Sequence, residues 1–269
     1  MKPDLFSIGK FTVHGYGLMI GIGFVIALLV GEYRAKKMKM KEDSVVDLAI
    51  IAIVSGFLGA KLLYIIVSFK EFMANPMAVI GSSGFVVYGG IISGVIFCMI
   101  YTKVKKLSFL EYFDLVMPEV ALAQGFGRIG CFLAGCCYGR ETTSAFGVVF
   151  PKESLAPSGV KLIPTQLISS AGDFLNAAIL IIIAAKFSYS AVKAKNNDDK
   201  AQKSLLAGDI GCIYMLIYGV GRFLIEFLRN DERGAVGVLS TSQFISLGIV
   251  VFGVVLMIVN RKKAQAESK

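Results

Sequence analysis

The chain has 269 residues, of which 55% are hydrophobic and only 17% charged, with a mean hydropathy of +0.70. A soluble domain carries about 25% charged residues to keep its surface wet, so this composition suits lipid as the solvent. The formal charge of +9 comes from short runs between long apolar segments, without interleaved aromatics, which argues against a nucleic-acid partner and for membrane orientation.

A membrane helix needs roughly 20 mainly apolar residues. The first such segment covers 13–33. It has no basic run ahead of it and no small-residue cleavage site behind it, so it is expected to stay in the membrane as a span. His14 and Tyr16 stand at its start in VHGYGL, where the lone histidine reads as an interfacial hydrogen-bonder. The second segment, 45–68, contains Lys61, which either snorkels to an interface or pairs with a carboxylate such as Asp173. The third, 84–102, opens in GSSGFVVYGGIISG. There Tyr88, followed by Gly89 and Gly90, offers an accessible hydroxyl, although an interfacial aromatic anchor accounts for it as well.

The fourth segment, 112–134, is interrupted by Glu119, Gln124 and Arg128; were it re-entrant, six spans would remain. Gly135 to Pro164 is long and mixed and reads as a small extracytoplasmic cap, about 135–164. The fifth, sixth and seventh segments cover 165–186, 207–228 and 241–260. Between the fifth and sixth, Ser188 to Lys203 is polar and reads as a solvated cytoplasmic loop. No internal repeat is visible, which argues against transporter folds built from inverted halves.

With seven spans, 17 of the lysines and arginines fall in the cytoplasmic segments, against eight in the opposite ones. That bias obeys the positive-inside rule and would be scrambled by adding or deleting one span. The expected fold is therefore all-α: a polytopic integral membrane protein of about seven helices, N-terminus outside and C-terminus cytoplasmic. It forms a single transmembrane domain over 1–269 with the small cap.

Lys61, Arg128 and Arg222 are left within the membrane, where an ionisable side chain costs about 2.5–3.5 kcal/mol at mid-helix. Arg222, Glu226 and Arg229 follow the i, i+4, i+7 spacing of one helical face. An internal ion pair explains part of this, but Glu226 can neutralise only one arginine at full strength. The spare guanidinium suits a lipid phosphate, which arginine binds bidentately. In GFGRIGCFLAGCCYGR, the five glycines at 125, 127, 130, 135 and 139 let helices approach closely, while Arg128 has few partners beyond backbone carbonyls or a ligand. Five cysteines form no disulfide framework, and Cys131, Cys136 and Cys137 have no trusted metal spacing; they read as small buried hydrophobes, with no metal expected.

In order, Tyr16-Gly17-Leu18, Gly59-Ala60-Lys61-Leu62, Tyr88-Gly89-Gly90, Gly127-Arg128-Ile129-Gly130 through Gly139-Arg140, Pro164-Thr165-Gln166-Leu167, Arg222-Phe223-Leu224-Ile225-Glu226-Phe227-Leu228-Arg229 and Ser242-Gln243-Phe244 resemble the bacterial prolipoprotein diacylglyceryl transferases. The Gly-Arg-Ile-Gly and Arg-Phe…Glu-Phe…Arg segments are the specific ones. The resemblance implies seven spans in the bacterial plasma membrane. It also implies transfer of the diacylglyceryl group of phosphatidylglycerol to the lipobox cysteine of prolipoprotein signal peptides, forming a thioether and releasing glycerol 1-phosphate, without a metal or organic cofactor. By resemblance, Tyr88, Arg128, Arg222 and Glu226 are the catalytic candidates. Tyr16, Lys61, Gly89, Gly90, Gly130, Gly139, Arg140 and Arg229 are the substrate-binding ones. Three positions depart from the family pattern: Tyr88 stands where a His-Gly-Gly motif has its histidine, and Cys131 and Cys136 replace the usual asparagine and glutamate. Alternatives are a diverged member acting on another acceptor, or a non-catalytic lipid-binding protein or transporter.

Overall fold

The computed structural model describes residues 4–8, 11–187, 205–231 and 234–267. The polar loop expected over Ser188 to Lys203 lies outside them. Two strands, β1 (Asp4–Ile8) and β2 (Phe11–His14), form an antiparallel hairpin ahead of α1 (Gly15–Lys37). Next come α2 (Asp43–Val67), the short α3 (Phe69–Ala74) and α4 (Pro76–Gly81), α5 (Val87–Val104) and α6 (Phe109–Ala134). The cap pairs β3 (Val148–Val149) with β4 (Lys161–Leu162). Then α7 (Thr165–Lys186), α8 (Asp209–Ile225), a 3-10 turn (Glu226–Leu228), the β5–β6 hairpin (Ala235–Val236 and Leu239–Ser240) and α9 (Thr241–Glu267) complete the described chain.

Among the described residues six helices are long and apolar enough to cross a membrane: α1, α2, α5, α7, α8 with its 3-10 turn, and α9. The chain is a polytopic helical membrane protein. Its spans show the side chains that lipid demands: Ile53, Phe57, Leu62 and Ile66 of α2 are each half or more exposed. The remaining long helix, α6, has 26 residues, about 39 Å at 1.5 Å per residue, and is the segment that polar residues interrupt. Those residues have partners. Asp114, fully buried, accepts from the amides of Gly208 (2.6 Å) and Gly211 (2.8 Å), satisfying the N-terminal N–H groups of α8. Gln124 accepts from the Tyr214 hydroxyl (2.9 Å), and Ser170 of α7 donates to the Gly125 carbonyl (2.8 Å).

The described residues group into two compact units. One runs from Glu32 to Tyr112; the other combines the chain up to Gly31 with that from Phe113 onward. In the first, α2 and α5 pack along small residues. A Cβ on Gly59 would lie 2.6 Å from the Gly89 carbonyl oxygen and 2.5 Å from the Ser93 Cβ, and the Ser93 hydroxyl donates to the Ser55 carbonyl (2.7 Å). This is the close helix approach by which membrane interfaces gain dispersion energy without a hydrophobic driving force. In the second unit the cap has its own small core of Phe150, Ala156 and Leu162, with the Phe132 ring edge-on to Phe150 at 5.8 Å.

Gly59→Val is therefore expected to wedge α2 from α5 and cost about 1–3 kcal/mol as an overpacking substitution. Gly248→Ala, where nothing lies within 4 Å of the added Cβ, should not. Thermal unfolding of the two variants in detergent measures the difference.

Candidate active site

The guanidinium groups sit where α8 ends. Arg222 occupies its last turn, and its Nη1 meets Glu226 Oε2 at 2.9 Å, an i, i+4 pair with both side chains largely buried. Two hydroxyls fix the pair from outside the helix: Arg222 Nη2 donates to Ser242 Oγ (2.9 Å), and Ser240 Oγ donates to Glu226 Oε1 (2.7 Å). Gln243 secures the same corner, accepting at Oε1 from the Ser240 amide (3.1 Å). The Ser-Gln-Phe segment thus bolts the ion pair to the start of α9.

Arg229 does not share the helical face its spacing predicts. The helix gives way to the 3-10 turn at Glu226, and Arg229 itself is extended, with φ −83° and ψ 153°. Its guanidinium is held bidentately by Asp231, Nε to Oδ1 at 3.1 Å and Nη2 to Oδ2 at 2.8 Å. Burial alone would lower its pKa; the Asp231 hydrogen bond, with Cys137 and the carboxylates nearby, more than reverses that. Asp231 is a site residue that helical periodicity overlooks, because the pairing needs the helix to have ended.

Arg128, half-buried on α6, is different. Among the described residues it forms no hydrogen bond or ion pair, although Tyr218, Cys131, Asp173 and Cys137 lie within electrostatic reach. Arg222 in turn feels both Arg229 and Arg128. The three arginines form one cluster, and the uncommitted guanidinium is Arg128. The spare charge expected beside Glu226 lies on another helix, because Asp231 takes up Arg229.

The cap segment runs through this cluster. The Gly139 amide donates to the Ile163 carbonyl (3.0 Å), the Ile163 amide to the Arg140 carbonyl (3.0 Å), and the Arg140 amide to the Leu228 carbonyl (2.9 Å). Gly139 bridges Arg229 in an antiparallel sense. A Cβ on Gly139 would fall 2.7 Å from the Ile163 oxygen and 2.8 Å from the Leu228 oxygen, so only glycine lets the segment pass between its two neighbours. The Arg140 side chain is exposed.

Tyr16, at the start of α1, lies where the Cβ that Gly130 lacks would be, with ring and backbone at 3.1 Å from that point. Around it are Arg128 and three thiols. Cys131, Cys136 and Cys137 were expected to be small buried hydrophobes; all three are half-buried, and their Sγ atoms lie within 4.8 Å of one another. The cause is a helix stop. Gly135, at φ +75°, ends α6, its amide bonding the Phe132 carbonyl (3.2 Å) and the Cys136 amide bonding the Cys131 carbonyl (3.1 Å). That is a Schellman cap, in which the second residue past the helix packs back on the third from its end. Cys137 turns left-handed again, at φ 63°. Hydrogen bonds with the other two thiols hold the Cys137 thiol well below the ordinary range, against its burial and with Arg229 and Arg128 assisting; the same neighbours push Cys136 up. A Cys-x3-Gly-Cys-Cys spacing at a helix end was the signal for this convergence.

The remaining candidates lie in the other unit. Lys61 donates to the carbonyls of Ser82 (2.8 Å) and Gly84 (3.3 Å), with Phe85 and Tyr64 rings beneath it, so its charge holds the turn before α5. Tyr88 is 42% exposed in the first turn of α5. Gly89 and Gly90 face α2, where a Cβ would meet the carbonyl oxygens of Gly59 and Gly56 respectively.

Residues 3–259 match the family model described as prolipoprotein diacylglyceryl transferase. The chain is 45% identical to the phosphatidylglycerol–prolipoprotein diacylglyceryl transferase of Clostridium tetani, over 98% of this chain and 100% of the relative. It is 44% identical to the second such enzyme of Clostridium perfringens, over 100% and 99%. To that of Finegoldia magna it is 32% identical, over 98% and 97%.

Removing Glu226 leaves Arg222 buried without its carboxylate, so Glu226→Ala is expected to cost about 3–5 kcal/mol, the usual price of breaking a buried pair. Glu226→Gln, which can still accept from Ser240, should cost less. Unfolding midpoints of the two variants in detergent give the ranking.

Proposed function

The chain belongs to the prolipoprotein diacylglyceryl transferase family, and from that premise we propose that it transfers the diacylglyceryl group of phosphatidylglycerol to the lipobox cysteine of prolipoprotein signal peptides, as a multi-pass protein of the bacterial plasma membrane. The thiolate attacks the glycerol carbon that carries the phosphate ester. A carbon–sulfur bond forms, the carbon–oxygen bond breaks, and glycerol 1-phosphate leaves with the electron pair.

The observation that carries this reading is the cluster of three guanidinium groups in which Arg128 alone has no carboxylate or hydrogen-bond partner among the described residues. Charge develops on the phosphate oxygens as the ester bond breaks, and fixed cations aimed there stabilise the transition state without reorganising. Arg128 takes the phosphate. Arg222 adds charge from a fixed position, with Glu226 orienting it, and Arg229 beyond α8 and Arg140 in the cap support it. Tyr16, Gly130 and Gly139 shape the surroundings, while Lys61, Gly89 and Gly90 keep their sequence-based assignment to substrate binding. The thiol loses its proton either to Tyr88 or by its own ionisation in an electropositive site. Seven spans, with α6 as the fourth, place the N-terminus outside and the basic tail in the cytoplasm.

Arg128→Ala is expected to lower turnover roughly 10²–10³-fold without lowering the unfolding midpoint, since it removes an unpaired charge. The measurement is glycerol phosphate released from labelled phosphatidylglycerol in the presence of a lipobox peptide. Wild-type turnover in that variant would overturn the assignment. In the same assay Tyr88→Phe decides the proton's destination: full activity excludes the phenol, and a loss of about 10²–10⁴-fold assigns the proton to it.

A further inference from the structure

We propose that Cys131, Cys136 and Cys137 form a three-thiolate site for a zinc-like divalent cation, whose fourth position takes the acceptor cysteine of the prolipoprotein. The proposal rests on the transferase reading above and names how the nucleophile is made. Three Sγ atoms within 4.8 Å of one another are close to what a tetrahedral thiolate site requires. With Zn–S bonds near 2.3 Å the sulfur–sulfur edges are about 3.8 Å, so shifts of roughly 1 Å or less suffice.

The backbone is built to hold that arrangement. The Schellman cap brings Cys136 back over Cys131, with Cys136 Sγ donating to the Cys131 carbonyl at 3.7 Å. Two side chains at the start of α7 pin the next carbonyls: Gln166 Nε2 donates to Cys136 O and Thr165 Oγ1 to Cys137 O, both at 2.7 Å. Cys137 adopts φ 63°, a left-handed conformation that costs a non-glycine residue of order 1 kcal/mol or more. A glycine would meet the backbone demand alone; a cysteine there supplies a sulfur as well.

The number of ligands and the charge both point to a reactive site rather than a structural one. Among the described residues no histidine or carboxylate joins the three sulfurs, and sites with three protein ligands keep the fourth position for water or substrate. Three thiolates around a dication carry one net negative charge. Arg128 lies within electrostatic reach of Cys131 and Cys137, and Arg229 of Cys137, which offsets it. All three thiols are free and half-buried, neither locked in a disulfide nor sealed in a core.

The step balances without redox change. The acceptor thiol displaces water from the metal and releases its proton to solvent, since a coordinated thiol is deprotonated outright. The metal-bound thiolate attacks the glycerol carbon as the carbon–oxygen bond to phosphate breaks. The product thioether, a weaker ligand than a thiolate, leaves the metal for the next thiol.

The test uses the full-length protein in detergent, stripped with chelator and titrated with Co2+ as the spectroscopic probe. One equivalent should produce sulfur-to-metal charge transfer and the visible bands of tetrahedral cobalt. Those bands should change on adding a lipobox peptide but not its Cys→Ser counterpart. Cys131→Ser, Cys136→Ser and Cys137→Ser should each weaken binding roughly tenfold or more. No thiolate charge transfer in the wild type, or bands indifferent to the thiol peptide, overturns the site. Full glycerol phosphate release by chelated, metal-free protein also overturns it, yet leaves the transferase reading intact. If the metal-loaded wild type releases none from phosphatidylglycerol with the thiol peptide, the transferase reading fails, and the step proposed on it fails too.

Discussion

A guanidinium that binds no carboxylate among the described residues, held on a helix within a membrane protein, is the constraint on which the rest of this structure depends. At about 2.5–3.5 kcal/mol for each ionisable group at mid-helix, Arg128 and Arg222 would together cost roughly 5–7 kcal/mol if neither were compensated. That approaches the whole net stability of an ordinary protein, about 5–15 kcal/mol. Pairing Arg222 with Glu226 and Arg229 with Asp231 leaves roughly the cost of one. The two ion pairs therefore do more than neutralise themselves. They keep positive charge beside Arg128 at a tolerable cost.

Positioning that charge calls on chain segments distant in sequence. The Arg222–Glu226 pair is tied to Ser240 and Ser242, so α8 and α9 share the corner. Arg229 is fastened through its backbone neighbours to the segment Tyr138–Arg140, which is in turn hydrogen-bonded to Ile163 just ahead of α7. Because that segment follows the end of α6 by a few residues, the helix bearing Arg128 lies close in sequence to the chain that holds Arg229. Gly139 is the narrowest point of this arrangement, with main-chain oxygens on both sides. A side chain there would part the two segments that fix the relative positions of the charges.

Most spans were legible because lipid imposes a length and a polarity that one sequence reveals: the segment expected at 165–186 is α7 residue for residue, and the other bounds fall within four positions except at α9, which runs to Glu267 against an expected end at 260; the segment expected at 112–134 is the helix α6, which is not among the six described helices apolar enough to cross a membrane. The arginines were legible for the same reason, since charge within apolar runs is conspicuous. What periodicity could not show was where helices stop. Arg229 has the spacing of a helical face, but Glu226 opens a 3-10 turn and a carboxylate two residues beyond Arg229 captures it. The cysteines were misread by the same omission. Five residues apart they belong on different faces of a continuous helix, and only the left-handed Gly135 folds them together. Gly89 and Gly90 carried a functional resemblance, yet in the fold both stand at a close helix contact, a role their sequence context left open.

One consequence concerns the order of groups along α6. Arg128 and Cys131 are three residues apart, neighbours on one helical face with Cβ atoms about 5–6 Å apart. The Schellman cap then brings the Cys136 and Cys137 sulfurs to within 4.8 Å of that of Cys131. A displacement at carbon needs the attacking sulfur and the departing oxygen on opposite sides of the reacting atom, a few ångströms apart. In the proposed reaction, Arg128 as the cation for the leaving phosphate and the three sulfurs on the nucleophile's side would have that spacing. The same helix end that hid the cysteines from periodicity is what would align the two halves of that proposed reaction.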